Sequence, residues 1–192
     1  MPRRLVRTIT VVVIVTLVLV VLDFTRMLVV IGSNGTWAMD PTIPACDGRV
    51  LAEGFTYLFR DPHRGEIVAI HATRGSGGEV RTDPEARDLT LTRRVAGLPG
   101  DQVVGRAGSV YVNGVKIDDI RTADFPRVDL GDDQYFVVGD NRSASRDSRS
   151  FGPVQREAIY GHVFLVVWPA GDFGRPESRH AGAPPGRIDC AL

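Results

Sequence analysis

The sequence contains little cysteine and almost no lysine. Its 23 basic residues include a single lysine, Lys116, and its two cysteines are Cys46 and Cys190. Because the formal net charge is zero, the composition gives no indication of a nucleic-acid partner. The cysteines lack metal-ligand spacing, and we expect neither a metal nor a cofactor. They are two unrelated small residues or, in an oxidising compartment, a disulfide that ties the C-terminal end to the domain.

A long apolar run lies near the N-terminus. It extends without a charged residue from Thr8 to Leu22, and Arg3, Arg4 and Arg7 precede it. Its length is marginal but sufficient for a membrane span, which takes about 20 residues and as few as about 17. A cleavable secretory signal has a similar layout, but no Ala-x-Ala site follows the run, which favours a retained anchor. The arginines predict a cytoplasmic N-terminus.

The rest of the chain has the pattern of short β-strands. Runs rich in valine, leucine and aromatic residues are separated by Gly, Pro, Asn and Asp, and no helical period of comparable length occurs. Asn113-Gly114 between two apolar triplets predicts a tight hairpin. We therefore expect a mostly-β domain with strands at residues 26–31, 49–53, 66–71, 88–95, 109–112, 135–138 and 162–168.

These patterns divide the chain into three parts. Residues 1–25 are expected to form the cytoplasmic N-terminus and the transmembrane anchor, and residues 26–169 the β domain outside the cytoplasmic membrane. Residues 170–192 are dominated by Gly, Pro, Ser and Arg, which predicts a disordered tail. Within the β domain, the polar and glycine-containing residues 72–87 predict an exposed loop between two strands.

Four segments of the β domain carry a recognisable motif pattern. They are, in order, Ala38 to Ile43, Arg64 to Val68, Arg93 to Asp101 and Gly139 to Arg149. Together they resemble the conserved boxes of type I signal peptidases, the serine–lysine peptidases of the S26 family. The first box in that family reads Ser-Met-x-Pro-Thr-Leu/Ile and the third Lys-Arg-Val-Ile-Gly-Leu-Pro-Gly-Asp. The resemblance implies a domain of coiled antiparallel β-sheets behind one N-terminal transmembrane helix, and the removal of signal peptides from exported pre-proteins.

The chain departs from the family at both reacting positions. Ala38 stands where the family has its serine nucleophile, and Arg93 stands where it has the lysine general base. An alanine has no hydroxyl, and a guanidinium with a pKa above about 12 does not act as a base near neutral pH. Lys116, just past the hairpin turn, is expected to be a solvated charge. As written, the chain is expected to be inactive and to bind signal-like peptides or a partner.

The sequence is also compatible with two other functions. The chain is alternatively a genuine signal peptidase I endopeptidase that is inactivated by substitution or uses an unrecognised base. Self-cleaving repressors also share a serine–lysine β domain, but the predicted anchor and the absence of a DNA-binding module ahead of the domain argue against that class. The changes at positions 38 and 93 fit either a natural non-catalytic homologue or an inactivated enzyme.

The resemblance implies roles for several further residues. Thr36, two residues before Ala38, would donate to the oxyanion, although a threonine bonded to its own backbone fits equally well. Ser145 matches a serine that positions the base. Four charged residues match those that form structural salt bridges beneath the family's site: Arg94, Asp140, Asp147 and Arg149.

An apolar lip is a further expectation. The aromatic run from Phe55 to Phe59 is either core or a lip at the membrane interface, where aromatic side chains are favoured. The implied partners are signal-peptide-like segments of exported proteins and the lipids of the cytoplasmic membrane. The expected substrate or membrane lip consists of Met39, Pro41, Phe55, Tyr57 and Phe59.

The predicted topology can be tested by protease protection. Protease added to the outer face of intact cells is expected to digest the chain beyond Asp23 and to spare a short N-terminal fragment, because the apolar run places that fragment in and behind the membrane. An N-terminal tag detects the fragment, and inverted vesicles, in which the tag itself is digested, are the control. Release of a soluble mature protein would contradict a retained anchor.

Overall fold

The computed structural model describes residues 9–19, 28–32, 37–45, 48–86 and 88–176. Within them the chain forms an N-terminal helix α1 at 9–19, a short helix α2 at Ser148–Phe151 and twelve β-strands. The strands are β1 Leu28–Gly32, β2 Arg49–Glu53, β3 Ile67–Arg74, β4 Val80–Thr82, β5 Leu89–Gly97, β6 Gln102–Arg106, β7 Ser109–Val112, β8 Val115–Lys116, β9 Phe125–Asp129, β10 Gln134–Val138, β11 Val154–Gln155 and β12 Ile159–Trp168.

The strands form two antiparallel sheets, as the sequence pattern predicts. Among the described residues, the larger sheet has eight strands in the order β1-β2-β12-β3-β5-β10-β11, with β4 paired to β3. The smaller sheet has four strands in the order β8-β7-β6-β9. All the strand pairs in both sheets are antiparallel. The fold class of the described residues is therefore mostly β.

The larger sheet is covered on both faces around β3. Val68 and Ile70 pack into one apolar cluster, whereas Ile67 and Ala69 pack into another. Successive side chains of a strand point to opposite faces of the sheet, so a strand covered on both sides needs a continuous apolar run. All four residues are completely buried, which explains why the sequence Ile-Val-Ala-Ile does not alternate with polar residues.

Strands β5 and β10 connect the two sheets. Val95 and Val137 belong to the core of the larger sheet, whereas Ala96, Phe136 and Val138 pack against the smaller sheet. The alternation of side chains along a strand allows one pair of strands to supply both cores. The pairing shifts register between Phe136 and Val137, which marks a bulge at this junction.

The predicted hairpin at Asn113-Gly114 is confirmed. Val112 pairs with Val115, and the two turn residues have φ values of 50° and 81°. Positive φ at both central positions is the geometry that Asn-Gly favours in two-residue hairpins.

The prediction of an exposed loop at residues 72–87 is wrong in part. Strand β3 continues to Arg74 and forms a hairpin with β4, and the Ala72 side chain is completely buried in the core. The sequence pattern also missed β6 and β9. The residues of β6 alternate between half-buried and buried positions before an exposed end, and β9 is half exposed and contains Pro126, so neither has a strong apolar signal.

The two ends of the chain are described in part. Within the described residues, no helix is long and apolar enough to cross a membrane. The predicted anchor from Thr8 to Leu22 lies partly outside these residues. Its flanking arginines, Cys46 and Cys190 lie outside them altogether.

The prediction of a disordered tail is wrong for its first residues. Ala170–Asp172 form a 3-10 helix, and Gly174 pairs with Val166 through backbone hydrogen bonds.

Removing the ring of Phe136 is expected to destabilise the domain strongly. Its side chain is completely buried against the smaller sheet, so Phe136→Ala should lower the free energy of unfolding by about 3–5 kcal/mol. Phe173→Ala is the matched control. Because Phe173 is 66% exposed, this substitution should lower the free energy of unfolding by no more than about 0.5 kcal/mol. Urea unfolding measures both variants. Equal effects would contradict this placement of Phe136.

Candidate active site

Ala38 lies in a buried turn against the loop of residues 139–147. The residue is 2% exposed, and its carbonyl accepts a hydrogen bond of 3.0 Å from the backbone N–H of Asn141. A Cβ built on Gly139 would lie 2.4 Å from the Ala38 carbonyl oxygen and 2.2 Å from the Ser145 Oγ. The absence of a side chain at Gly139 therefore brings Ala38 and Ser145 close together.

Arg93 contacts the same loop from β5. It pairs with Val68 of β3, and the residue is 5% exposed. Its Nε and Nη2 donate to the Arg146 carbonyl at 3.0 and 2.7 Å, and its Nη1 donates to the Thr92 carbonyl at 2.6 Å. Residues 139–147, hereafter the site loop, thus contact both Ala38 and Arg93.

The charge of Arg93 is not matched by a contacting carboxylate. Among the described residues it takes part in no ion pair, and its hydrogen bonds end on backbone carbonyls. Burial lowers the pKa of Arg93 to about 10, an effect that the negative charge of Asp147 opposes and the positive charge of Arg149 reinforces. The guanidinium therefore stays protonated at neutral pH and cannot accept the proton of a hydroxyl.

Arg94 attaches β5 to the first part of the site loop. Its Nε and Nη2 donate to the two carboxylate oxygens of Asp140 at 2.7 and 2.6 Å, and its Nη1 donates to the Gly65 carbonyl at 2.6 Å. The Asp140 side chain is completely buried. Bidentate arginine–carboxylate hydrogen bonds of this kind fix both side chains in a single geometry.

Asp147 and Arg149 form a second buried ion pair at the end of the loop. Arg149 donates from Nε and Nη2 to the two oxygens of Asp147, both at 2.8 Å, and also bonds Thr122 and the Arg142 carbonyl. Asp147 is the N-cap of α2 and accepts from the Arg149 N–H at 3.2 Å and the Gly139 N–H at 2.9 Å. This carboxylate therefore connects the start of the loop to the helix.

The pKa of Asp147 lies below its usual range. Burial acts to raise it, but the hydrogen bonds from Arg149 and Gly139 and the charge of Arg149 outweigh burial. Ser145 also contributes to this lowering. Its Oγ is buried near the carboxylate without meeting the geometry of a hydrogen bond, so it has no hydrogen-bond partner among the described residues.

The residues predicted to form an apolar lip differ in their exposure. Phe55 and Phe59 are 43% and 74% exposed and pack edge to face, together with the exposed Leu58. Tyr57 is buried, and its hydroxyl donates to Glu66 at 3.0 Å, because the 3-10 turn directs this residue toward the core. Met39 is also buried, in the cluster that contains β2 and β12 residues. Pro41 is half-buried, and Thr36 lies outside the described residues.

Sequence analysis missed three residues that shape the site loop. Arg142 is almost completely buried and donates to the Gly139 carbonyl and to Asp118. Arg146 contributes the carbonyl that holds Arg93, and its side chain bonds the Gly78 carbonyl in the β3–β4 hairpin. Gly139 is needed for close approach. All three belong to the Gly139–Arg149 box, so only the motif itself signalled their importance.

A cleft of about 380 Å³ lies next to the site loop. Arg146 and helix α2 line it on one side and β4 on the other. Its lining residues are Glu79, Val80, Arg81, Arg146, Ser150 and Phe151. The described residues contain no group of His, Cys, Asp and Glu side chains that could hold a metal ion.

Residues 3–168 match the model of a protein family described as signal peptidase, peptidase S26. A probable signal peptidase I-2 from Synechocystis sp. is 39% identical over 137 residues, which cover 69% of this chain and 60% of that relative. Signal peptidase I from Leptolyngbya laminosa is 32% identical over 149 residues, or 73% of this chain and 71% of that relative. The crystal structure of a signal peptidase I from Enterococcus faecalis aligns with a TM-score of 0.42 and 27% identity, covering 54% of this chain and 97% of that one.

The Asp147–Arg149 pair predicts a specific dependence of stability on pH. Asp147→Asn should lower the free energy of unfolding by about 3–5 kcal/mol at neutral pH, because it leaves Arg149 without its buried partner. The unfolded aspartate titrates near about pH 3.9, and the folded pKa is lower. The difference in the free energy of unfolding between the parent and Asp147→Asn should therefore be full above about pH 5. It should begin to fall near about pH 4 and be lost only as the pH falls through the lower pKa of the folded state.

Urea unfolding from about pH 3 to about pH 7, a range that includes the titration of an unfolded aspartate, measures the free energy of unfolding of the parent and the variant. Asp129→Asn is the control, because its pair with Arg127 is exposed and should contribute no more than about 1 kcal/mol. A destabilisation by Asp147→Asn that stays constant across the whole range would contradict the assignment.

Proposed function

Because the chain belongs to the peptidase S26 signal peptidase family, we propose that its β domain binds signal-peptide-like segments of exported proteins without cleaving them. The observation that carries this proposal is the pair of residues on either side of the site loop. Ala38 offers a methyl group where a hydroxyl would attack, and Arg93 offers a protonated guanidinium where a neutral amine would take the proton. The groups around them are retained, so the site would bind a peptide but lack its chemistry.

The edge of β5 supports the binding of an extended peptide. Strand β3 pairs with β5 along residues 89–94, whereas β10 pairs only with residues 94–97. Within the described part of the chain, residues 89–93 therefore have a neighbouring strand on one side only. An extended peptide can add to such an edge through backbone hydrogen bonds, and Arg93 and the site loop lie at its end.

The exposed aromatic turn supports a location beside a membrane. Leu28 at the start of β1 pairs with Glu53 at the end of β2, and Phe55 follows two residues later. The N-terminal segment therefore enters the sheet at the end that carries Phe55, Leu58 and Phe59. The apolar side chains of α1 are between 50% and 63% exposed, which suits a lipid environment. We place the domain at the outer face of the cytoplasmic membrane, with an N-terminal anchor and a cytoplasmic N-terminus.

A second candidate function is that of a signal peptidase I endopeptidase inactivated by its two substitutions. It is favoured by the preserved ion pairs Arg94–Asp140 and Asp147–Arg149, which hold the site loop. A scaffold that still holds its loop in place should accept the missing groups again. Restoring the serine and the lysine tests how much of a peptidase site the scaffold still holds.

Restoring both reacting groups is expected to restore some peptidase activity. The double variant Ala38→Ser with Arg93→Lys should cleave a pre-protein at least about 100-fold faster than either single variant, since a positioned base contributes about 100- to 10,000-fold. Serine alone would face a guanidinium that cannot accept its proton, and lysine alone would have no hydroxyl to activate. Because the two groups act as a unit, their effects should be far from additive.

Initial rates of pre-protein cleavage, with the product identified by mass spectrometry, measure the parent, both single variants and the double variant. Near-ultraviolet circular dichroism checks that each variant is folded. A folded but inactive double variant would favour the binding function over that of an inactivated signal peptidase. Cleavage by the parent would contradict the proposal and require a nucleophile other than position 38.

A further inference from the structure

We propose that Arg93 binds the C-terminal carboxylate of a peptide held in the groove, so that the domain prefers an already cleaved signal peptide to an uncleaved one. This inference rests on the proposed function, because it needs a peptide to occupy the edge of β5. It adds the chemical form of the ligand, a free terminal carboxylate after a small residue.

The first argument is the charge of Arg93. The residue is 95% shielded from solvent, and among the described residues no carboxylate pairs with it. Burying a cation without an anionic partner is costly, and buried charges in proteins are normally paired. The charge of Asp147 acts on Arg93, but Asp147 pairs with Arg149 and forms no hydrogen bond or ion pair with Arg93 among the described residues. An anionic ligand would supply the missing partner.

The second argument is the number of N–H donors. A guanidinium has five, and three of the Arg93 donors bond the carbonyls of Arg146 and Thr92. One N–H remains on each of the two terminal nitrogens. A carboxylate has two oxygens and can accept from both, which gives the strong charge-assisted geometry of arginine–carboxylate pairs.

The third argument is the place of Arg93 on the site loop. Arg93 bonds the Arg146 carbonyl of this loop, and the Asn141 N–H of the same loop bonds the Ala38 carbonyl. A signal peptide acquires its terminal carboxylate at the carbonyl carbon where it is cut, which is the carbon that the family's serine attacks. Position 93 would therefore meet the new carboxylate directly.

The test compares four fluorescent peptides for binding to the full-length protein in detergent micelles. The first is a signal peptide that ends after a small residue with a free carboxylate, and the second is the same peptide with a C-terminal amide. The third continues beyond the cleavage point. The fourth is the amide with one internal Gln→Glu change, which restores the net charge away from the terminus. Fluorescence anisotropy gives each dissociation constant.

The free acid is expected to bind at least about 10-fold more tightly than the amide, as a charge-assisted hydrogen bond of about 1.5–3 kcal/mol implies. The extended peptide and the peptide with the internal Glu should bind like the amide. Arg93→Met should remove the preference by weakening only the free acid, and Arg93→Lys should retain part of it. Arg127→Gln, which removes an arginine with a 58% exposed side chain away from the groove, should leave the preference unchanged.

The outcomes separate this inference from the function on which it rests. Equal binding of the acid and the amide by the parent protein would overturn the carboxylate site and leave peptide binding intact. A preference shared by the peptide with the internal Glu would overturn it too, because general charge attraction would then be sufficient. Failure of all four peptides to bind would overturn the proposed function together with the inference. The parent protein alone decides these points if a variant at position 93 does not fold.

Discussion

The site loop of residues 139–147 is held at both ends by buried ion pairs. Arg94 on β5 bonds Asp140 near its start, and Asp147 at its end bonds Arg149 and the Gly139 N–H. Two carboxylates without solvent exposure are stable only while their arginine partners remain, so the loop has a single low-energy arrangement. The contacts of Ala38, Ser145 and Arg93 all depend on that arrangement.

Within this frame, Ala38 has no hydroxyl and Arg93 is a buried cation. A lysine in an apolar site can lose its proton because burial lowers its pKa toward neutrality. Burial also lowers the pKa of Arg93, but only to about 10, and the guanidinium remains a cation. It also donates to the Arg146 and Thr92 carbonyls. Arg93 is therefore a fixed positive charge, which is suited to binding and not to proton transfer.

The larger sheet explains why so much of the frame consists of short apolar strands. Strand β3 is buried on both faces, and β5 and β10 contribute to both sheets through alternate residues. Predictions from the sequence found these strands because their apolar residues form clear runs. They missed β6 and β9 and shortened β3, since half-exposed strands and a strand that ends in a hairpin lack such a signal. The sequence left open whether Tyr57 is core or part of a lip, because an aromatic residue in a turn has no periodicity that indicates its direction.

The sequence by itself determined the strand-rich class, the Asn113-Gly114 hairpin and the presence of an alanine at position 38 and an arginine at position 93. These depend on local backbone preference and on the identity of single side chains, which need no knowledge of neighbours. Only the tertiary structure decided which groups surround Arg93 and that no carboxylate among the described residues pairs with it. It also decided that Gly139 must lack a side chain and that Met39 is core. These features arise where segments distant in the chain meet, and the packing of the two sheets sets where they meet.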